Sequence, residues 1–491
     1  MAKIKKNKIL LYNSINRPVF ASHSHPDPIN LGLLALSSVL KKNGYQVKLI
    51  PNIDSKKTLE YLKKELKGTL LVGVSCMTGD PINNGIKFSR AVKLIDPKIP
   101  ICWGGFHPTL DYENTIKNEF VDYVIRGQGE NVILELVKSI ENNKSKLSEI
   151  KGLVYKKKDK IKVNCLREIE PIDNFPFFDY ELYYDCYKIE PVDEIIYCSS
   201  RGCPFECTFC SVSTFYHRRY LFYSKERFFQ DTDKIVKRYN PKSIFFWDDN
   251  FFTSPQRSKE FLKNYLKNGY HFKWYAFARC DLFSKEDKDF LRLLKKCNCV
   301  RLLFGAESGS KRILKYIKKH IEIEDIINSC KNVSKYGIVP DYTFISGFPT
   351  ETLDDLAKTL KIIKKIIKIN KNSGVRLFSF NISPGIPILA DCLKLGITYP
   401  KSLEEWAKFE YHSFIAPWIS KKHREMVKIL VWITSFASLS TAPTHRNLII
   451  NMLLKLIHKD AYFRLTRDFY FLAFEWKLLY FFYKRHYSRM E

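Results

Sequence analysis

The chain has 491 residues, about three times the size of a typical single domain, so two or three packed domains are expected. Apolar residues make up 45% and charged residues 27%, which excludes a disordered chain and a small disulfide scaffold. Lys and Arg number 81 against 52 Asp and Glu, and the net charge of +29 either favours an anionic partner (nucleic acid, a membrane surface or a phosphorylated substrate) or reflects the composition of the genome.

The amino-terminal residues predict a first strand rather than a signal peptide, because their short apolar run continues into an alternating pattern. The longest apolar stretch, residues 429–439, is too short to cross a bilayer. These features predict a cytoplasmic protein without a transmembrane helix.

The rest of the pattern predicts an α/β protein with three regions and a linker. In residues 1–145, strand and helix signals alternate, which predicts a doubly wound parallel sheet. Residues 146–193 contain a hairpin-like piece and a Pro-rich aromatic stretch, and are predicted to be a linker. Residues 194–385 contain six strand signals separated by helical stretches, which predicts a partial (β/α)6 barrel with its chemistry at the carboxyl ends of the strands. Residues 386–491 are predicted to be mainly helical.

Three of the 13 cysteines stand together on a Gly- and Pro-containing loop after the first barrel strand. They are Cys203, Cys207 and Cys210. Three thiolates at this spacing can hold three corners of a 4Fe–4S cluster and leave the fourth iron without a protein ligand. A zinc site completed by His217 is the alternative. The other cysteines show no second cluster spacing, although Cys297 and Cys299 lie close together in the sequence.

The loop CPFECTFC resembles the CxxxCxΦC signature of the radical S-adenosylmethionine (SAM) enzymes, in which an aromatic residue precedes the last cysteine. The resemblance implies that the open iron is chelated by the amino and carboxylate groups of SAM. It also implies that an electron from the reduced cluster cleaves SAM to methionine and a 5′-deoxyadenosyl radical. A low-potential electron donor of the flavodoxin or ferredoxin type is then expected as a partner.

Polar strand ends follow the cysteine loop where cofactor contacts fall in this family, in FFWDDNFF, FGAESGS and FISGFPTET. An Asp-Asp-Asn sequence is also common as a turn or a helix cap. The SAM contacts implied by the resemblance are Phe209, Asp248, Asp249, Asn250, Glu307, Ser308 and Gly347. Arg279 is a candidate clamp for a carboxylate of methionine or substrate, with a structural ion pair as the alternative.

The first region carries Gly-rich strand ends, and WGGFHPT with VDYVIRGQGE before a radical cysteine loop resembles the cobalamin-binding domain of the cobalamin-dependent radical SAM enzymes. The resemblance covers about residues 8–380. The predicted cobalamin contacts are Ser75, Thr78, Gly104, Gly105, Gly127 and Glu130. Since the chain has no DxHxxG loop, the resemblance implies a cobalt without a protein imidazole, with His107 as the alternative ligand. His23 and His25 are predicted to be loop residues near the cofactor mouth.

The resemblance implies an enzyme that methylates an unactivated carbon through a substrate radical and methylcobalamin. The alternative within the superfamily is an oxidative cyclisation without net methyl transfer. Methylthiolation of tRNA is disfavoured, because that family carries three further cluster cysteines and only Cys76 and Cys102 precede residue 144. A nucleic-acid partner is therefore not expected, and the cysteine loop contradicts a cobalamin sensor without enzyme activity.

Residues 421–491 interleave aromatic residues with cations. One interpretation is a helical cap that packs on the barrel. The other is a face that contacts anionic lipid headgroups and admits a hydrophobic, lipid-like substrate.

Overall fold

The computed structural model contains two large β-sheets that follow one another along the chain. It describes residues 7–15, 29–51, 56–143, 146–158, 160–188, 193–285, 287–409, 416–437 and 448–470. The predictions for His23, His25 and residues 471–491 lie outside the described residues.

The first sheet has seven strands, which are β1 (Lys8–Asn13), β2 (Gln46–Ile50), β3 (Thr69–Ser75), β4 (Ile101–Gly104), β5 (Tyr123–Ile125), β6 (Leu153–Lys157) and β7 (Lys160–Val163). Their order is β2-β1-β3-β4-β5-β6-β7, and the first five are parallel. The helices are α1 (Leu31–Lys42), α2 (Lys56–Leu66), α3 (Pro81–Ile95), α4 (Phe106–Leu110), α5 (Tyr112–Lys117) and α6 (Glu130–Glu141). β1 and β3 are apolar and almost wholly buried, as strands are when helices cover both faces. The predicted doubly wound sheet is confirmed.

The segment predicted as a linker belongs to the first domain over most of its length. The hairpin β6–β7 pairs antiparallel with β5. Leu153, Val154 and Tyr155 of β6 are buried, because they continue the core of the sheet. A helix follows, α7 (Tyr180–Tyr187), and Asp179 before it accepts a hydrogen bond from Ser37 of α1 at 2.8 Å. The sequence indicated the hairpin, but its place in the sheet depends on packing and not on local pattern.

The second sheet has six parallel strands, β8 (Glu194–Tyr197), β11 (Ser243–Phe246), β12 (Lys273–Ala278), β13 (Cys299–Glu307), β14 (Val339–Ser346) and β15 (Gly374–Ser379), in the order β15-β14-β13-β12-β11-β8. A small ribbon is formed by β9 (Ser200–Arg201) and β10 (Leu221–Phe222). The helices are α8 (Ser211–Phe215), α9 (Lys225–Tyr239), α10 (Pro255–Lys267), α11 (Cys280–Lys285), α12 (Lys288–Lys296), α13 (Lys311–Tyr316), α14 (Ile323–Lys335) and α15 (Leu353–Ile369). All six predicted strands are present, which confirms the partial barrel. Cys297 and Cys299 are fully buried in its core.

The carboxyl-terminal region is helical where the structure describes it, with α16 (Leu389–Lys394), α17 (Leu403–Ala407), α18 (Lys421–Ala437) and α19 (Leu448–Arg467). α18 packs on β15, and Thr434 Oγ1 accepts a hydrogen bond from the Leu377 N–H at 2.9 Å. In the described part of the chain, every helix is too short or too polar to span a membrane.

Candidate active site

The cysteine loop lies between β9 and α8, beyond the carboxyl end of β8. Its three cysteines are free thiols. Gly202 begins the loop with a φ of +84°, and a Cβ there would lie 2.3 Å from the carbonyl oxygen of Arg219. Glycine is therefore required where the chain turns into the cysteine loop.

Backbone hydrogen bonds fix this loop in the protein. The Thr208 N–H donates to the Ile317 carbonyl at 3.0 Å, and the Ile388 N–H donates to the Thr208 carbonyl at 3.0 Å. Burial raises the pKa of the Cys210 thiol to about 12, so iron has to displace its proton. A donor set of three thiols on a fixed loop fits three corners of a 4Fe–4S cluster.

The zinc alternative finds no support in the arrangement of side chains. Within the described ranges, no three or more His, Cys, Asp or Glu side chains are placed to hold one metal ion, and His217 is exposed on a turn. The cysteines of an iron–sulfur cluster bind different irons, so their sulfur atoms need not converge on one point.

Asp248 is fully buried and supports the chain that leads into the cysteine loop. One carboxylate oxygen accepts hydrogen bonds from the Ser199 hydroxyl at 2.7 Å and from the Ser200 hydroxyl, and the other accepts from the Ser199 N–H at 3.2 Å. Arg257 lies 4.0 Å away. Because both oxygens have partners within the protein, the structure favours a positioning role for Asp248 over the predicted contact with SAM.

The next two residues differ from Asp248. Asp249 Oδ2 accepts a hydrogen bond from the Gly202 N–H at 2.8 Å. Solvent reaches part of this side chain, but the surrounding protein removes much of its hydration and raises the pKa of Asp249 to about 6. Asn250 is buried, and its Oδ1 has no hydrogen-bond partner among the described residues. A buried oxygen without a donor is costly, so Asn250 fits the role of an acceptor for SAM.

Arg279 stacks on the cysteine loop. Its guanidinium carbon lies 3.7 Å from the centre of the Phe205 ring. Its Nε donates to Asp281 at 3.0 Å, and its Nη2 donates to the Lys319 carbonyl at 3.0 Å. These contacts favour the structural ion pair over the predicted carboxylate clamp.

Glu307 and Lys319 form a buried ion pair at the carboxyl end of β13, with Oε1 and Nζ 2.8 Å apart. A Cβ on Gly305 would lie 2.3 Å from this Oε1, so the glycine makes room for the pair. Burial opposes the charge of Lys319, but Glu307 outweighs it, and with a further contribution from Cys207 the pKa of Lys319 is raised. Lys319 is therefore protonated close to the cysteine loop, and Glu307 balances its positive charge.

The remaining predicted SAM contacts are Ser308, Phe209 and Gly347, and each has different neighbours in the structure. Ser308 is fully buried and its hydroxyl accepts from the Ser310 N–H at 3.1 Å, which supports the turn after β13. Phe209 packs edge-on against Phe348 with ring centres 5.5 Å apart. Gly347 ends β14 with a φ of +102°, a conformation that favours glycine.

Glu351, near the end of the FISGFPTET segment that was predicted to lie close to the cofactor, follows this turn in a buried polar cluster. Its Oε2 accepts hydrogen bonds from the Gly347 N–H and from Ser346 Oγ, the latter at 3.0 Å, and lies 3.9 Å from His423 Nε2. Its Oε1 has no partner in the part of the chain that is described. Burial raises the pKa of Glu351 to about 7.

At the carboxyl edge of the first sheet, Ser75 joins the ends of β1 and β3. Its hydroxyl accepts from Asn30 Nδ2 at 3.1 Å, and its carbonyl accepts from Ser14 Oγ at 2.7 Å. Asn30 Nδ2 also donates to Asn13 Oδ1 at 3.1 Å. The strand order reverses between β1 and β3, which is where doubly wound sheets bind ligands.

Glycine backbone forms the neighbouring strand ends. The Gly104 carbonyl accepts from the Cys76 N–H at 2.9 Å. Gly105 has a φ of +99°, and a Cβ there would lie 2.9 Å from the Cys76 carbonyl. Gly127 has a φ of +82°, with no described atom within 4 Å of an added Cβ. An open edge of glycines and small polar groups fits a large flat ligand such as a corrin, because the ligand can approach the backbone.

His107 is fully buried close to this edge. Its Nδ1 lies 3.1 Å from Thr78 Oγ1, its Nε2 lies 3.9 Å from Asp111, and its ring meets that of Trp406 edge-on. Burial lowers the pKa of His107 to about 3, so the ring is neutral. These contacts hold the ring in place and give Thr78 a protein partner. His107 Nε2 has no hydrogen-bond partner among the described residues, so cobalt ligation by His107 stays the alternative prediction.

Glu130 connects the two sheets. It begins α6, is buried, and pairs with Arg201, which stands two residues before Cys203. The structure places Glu130 in an ion pair that ties the first domain to the cysteine loop, and its contact with cobalamin stays a prediction. Arg201 was missed because an arginine beside the motif carries no periodic signal.

The two carboxyl edges meet at a narrow crevice. Its lining residues are Met77, Thr78, Phe106, Leu110, Ser211 and Ser383. Ser211 directly follows Cys210, and the rings of Phe106 and Phe215 are 4.6 Å apart. Residues from the edge of the first sheet therefore contact residues that flank the cysteine loop.

Comparison with protein families matches residues 197–363 to the radical SAM superfamily and residues 18–137 to the B12 binding domain. An uncharacterized methyltransferase of Pyrococcus horikoshii is 30% identical over 341 residues, which are 68% of this chain and 73% of that protein. An anaerobic magnesium-protoporphyrin IX monomethyl ester cyclase of Rubrivivax gelatinosus is 24% identical over 67% of this chain and 60% of its own length.

Among solved structures, the cobalamin-dependent SAM radical enzyme OxsB with aqua-cobalamin bound has the same fold. It aligns with a TM-score of 0.71 and 18% identity over 99% of this chain and 76% of that chain. The chain therefore belongs to the cobalamin-dependent radical SAM enzymes, the family of the radical SAM methylases, and its cofactors are a 4Fe–4S cluster, SAM and cobalamin.

Proposed function

We propose that this enzyme methylates an unactivated carbon of an apolar substrate, with cobalamin as the methyl donor. The observation that supports this most is the meeting of the two carboxyl edges, where Thr78 and Phe106 share a crevice with Ser211. A methyl donor on the first edge would therefore face a substrate radical at the second.

When bound, the cofactors supply the reactive chemistry: cleavage of SAM gives the radical that removes a substrate hydrogen, and cobalamin gives the methyl group. The chain binds and orients them. The three cysteines would hold the cluster, and Asn250 Oδ1 would accept a hydrogen bond from SAM. The Glu307–Lys319 pair fixes the charge beside the cysteine loop, and Glu130 with Arg201 keeps the two edges together.

The test uses the full chain, purified without oxygen and loaded with iron, sulfide and cobalamin. It is incubated with a reductant, SAM carrying a deuterated methyl group, and a small-molecule extract as substrate source. Methylation predicts equal amounts of 5′-deoxyadenosine and S-adenosylhomocysteine, because a second SAM restores the methyl donor. It also predicts a product that carries the labelled methyl group. 5′-Deoxyadenosine without S-adenosylhomocysteine would contradict methylation.

The relative named as a cyclase supports a second candidate, an oxidative cyclisation with cobalamin and no net methyl transfer. The same incubation separates the two reactions. Cyclisation predicts a product that is lighter by hydrogen and carries no deuterium.

As a radical SAM enzyme, the protein needs a reductant. We infer a flavodoxin or ferredoxin as donor, and the surface outside the cysteine loop supports an acidic protein. Glu206 of the loop is surrounded by Arg218 at 3.6 Å, Lys318 at 3.8 Å and His320 at 2.9 Å, and these three side chains are more than half exposed. Opposite charge steers such encounters and raises their rate.

We also propose a peripheral contact between α19 and anionic lipid. Met452, Leu456 and Phe463 are 66%, 61% and 54% exposed and share one helix face, with exposed Lys455 and Lys459 beside it. Substituting Asp for Met452 and Leu456 should prevent flotation with anionic vesicles, which neutral vesicles should not support. Flotation that this double variant does not change would contradict the contact.

A further inference from the structure

The six strands of the barrel sheet are largely buried on the face that packs against the helices, and many side chains on the opposite face are partly exposed. Along β12, Trp274, Ala276 and Ala278 are buried against the helices, whereas Tyr275 and Phe277 on the opposite face are partly exposed. The same alternation runs along the other strands. Its partly exposed members include Ile196, Leu303, Thr343, Ile345 and Phe378. We call this second side of the sheet the inner face.

Four aromatic side chains form a continuous surface on the inner face, and we call them the aromatic panel. They are Phe245, Trp247, Tyr275 and Phe277. The rings of Phe245 and Tyr275 stack with centres 4.3 Å apart. Trp247 meets Phe245 at 4.8 Å and Phe277 at 5.6 Å, yet 50% of its surface is exposed. Phe245 is buried beneath this group, Tyr275 and Phe277 are partly exposed and Trp247 is half exposed, so the packed rings leave an apolar surface open to a partner.

The panel leads directly to the radical site. Residues two apart on a strand point to the same side, so Arg279, which stacks on Phe205 of the cysteine loop, continues the line of Tyr275 and Phe277. On β13 the inner face ends in Glu307, the partner of Lys319. A molecule on the panel would therefore lie next to the site of SAM.

Polar groups close both ends of the panel. At the lower end, the Tyr275 hydroxyl donates to Glu194. To the side, on the strands beyond β12, Arg301 pairs with Asp341 at 3.0 Å, and Arg376 of β15 is exposed on the same face. At the upper end stands Arg279. The strand rise of about 3.3 Å per residue places the positions of Tyr275 and Arg279 about 13 Å apart. The apolar band between them is thus bounded in height.

We propose that the aromatic panel binds the apolar body of the substrate, a hydrocarbon chain or a flat ring system, and presents it to the radical formed from SAM. This proposal rests on the proposed function, because it takes the panel to be the side of the radical site on which the substrate binds. It does not depend on whether the reaction is methylation or cyclisation. A polar substrate such as an amino acid or a nucleotide would leave the aromatic surface unmatched.

The test measures binding rather than turnover, in the full chain loaded with cluster and SAM. Two probes are titrated separately, farnesol as an apolar chain and 1-pyrenemethanol as a flat ring, and binding is measured by equilibrium dialysis. At least one should bind saturably, and Trp247→Gln should weaken it by about tenfold, because an aromatic contact is replaced by a polar side chain. Trp247→Phe should keep most of the affinity. Leu94→Gln, at an exposed leucine of α3, is the matched control and should not change it.

Cluster absorbance and the melting temperature show whether each variant is folded, and Phe277→Gln repeats the test at a second position of the panel. The proposal is wrong if neither probe binds saturably, or if binding does not respond to Trp247 and Phe277. It is also wrong if the probes bind only after residues 471–491 are removed, because the panel would then be covered by the chain itself. A negative deuterium experiment with positive probe binding would reject methylation and keep the panel.

Discussion

The two carboxyl edges that meet in this protein are built in different ways. The edge of the barrel sheet is made of charged side chains with fixed partners, such as the buried pair of Glu307 and Lys319. The edge of the first sheet uses glycine backbone and small polar side chains, such as Gly105 and Ser75. SAM carries charged groups that need matched charges, whereas a corrin is large and flat and needs open backbone. The two edges therefore offer different kinds of contact, charged side chains at one and glycine backbone with small polar groups at the other.

The largest expected effect tests whether the two edges are independent. Replacing Cys203, Cys207 and Cys210 with Ala should remove the iron–sulfur absorbance and abolish 5′-deoxyadenosine formation, because no thiolate is left to hold iron. Cobalamin binding should be retained, since the first edge contains none of these residues. Iron and sulfide analysis and a cobalamin titration measure both results.

Cys165→Ala is the control, at an exposed free cysteine outside the loop. A triple variant that keeps its cluster and cleaves SAM would refute the cluster assignment. Loss of cobalamin in the same variant would show that the two edges depend on each other.

The second prediction concerns the charged edge alone. Lys319→Met leaves Glu307 buried without its partner and should lower the free energy of unfolding by about 3–5 kcal/mol. The double variant with Glu307→Gln should recover part of this loss, because the uncompensated charge is removed. Lys318→Met, at the exposed neighbour, should cost at most about 0.5 kcal/mol. Denaturant unfolding of the metal-free protein measures these changes, and equal losses for Lys318→Met and Lys319→Met would argue against the pair.

The residues discussed above also show which parts of the structure could be predicted from the sequence and which could not. The alternation of strands and helices predicted both sheets, and the spacing of the cysteines predicted the cluster loop, because these signals are local. The partners of Asp248 and Glu130 are Ser199 and Arg201, which come close only through packing. The sequence therefore did not predict these contacts within the protein, and the cofactor contacts of Asp248 and Glu130 stay predictions. Lys319 was missed because it looks like any surface lysine until Glu307 is seen beside it.

The third prediction concerns the pH dependence of stability, which we expect from Glu351 at the carboxyl edge of the barrel sheet. The pKa of Glu351 in the folded protein is about 7, above its ordinary value, so the folded state holds this proton more tightly than the unfolded state. Its contribution to stability is therefore present below about pH 4.5 and is lost as the pH rises to 7, by about 3 kcal/mol at most.

Glu351→Gln should remove this loss, so the variant gains stability relative to the wild type at pH 8 and not at pH 4.5. His423 faces the carboxyl group, and burial lowers its pKa, so its own contribution is lost on acidification. Comparing variant and wild type at each pH separates the two. Asp354→Asn, at an exposed carboxylate of α15, should leave the profile unchanged. Parallel profiles for wild type and Glu351→Gln would exclude a raised pKa.

The fourth prediction tests the glycine backbone at the carboxyl edge of the first sheet. Gly105→Ala should lower the free energy of unfolding by about 1–3 kcal/mol, because its Cβ meets the Cys76 carbonyl at 2.9 Å and its φ is positive. Gly127→Ala has the same strain in φ without the clash and should cost about 1 kcal/mol. Unfolding without cobalamin measures both. If Gly127→Ala lowers the free energy of unfolding more than Gly105→Ala does, close backbone packing at Gly105 does not hold the first edge together.

The smallest expected effect lies on the outer surface of the cysteine loop, where the charges face solvent and salt screens them. Arg218→Glu with Lys318→Glu should raise the KM for reduced flavodoxin about three- to tenfold at low salt, because an attractive surface becomes repulsive. The effect should shrink as salt is added. SAM cleavage driven by titanium(III) citrate should not change, since a small reductant needs no docking surface.

Lys63→Glu with Lys64→Glu, at exposed residues of α2, is the control of equal charge. If this control pair raises the KM as much, the effect follows from net charge and the donor has no preferred site at Glu206. If instead the titanium-driven rate falls in the Arg218 and Lys318 variant, the substitutions have disturbed the cluster itself, and the surface around Glu206 is part of the charged edge rather than a docking site.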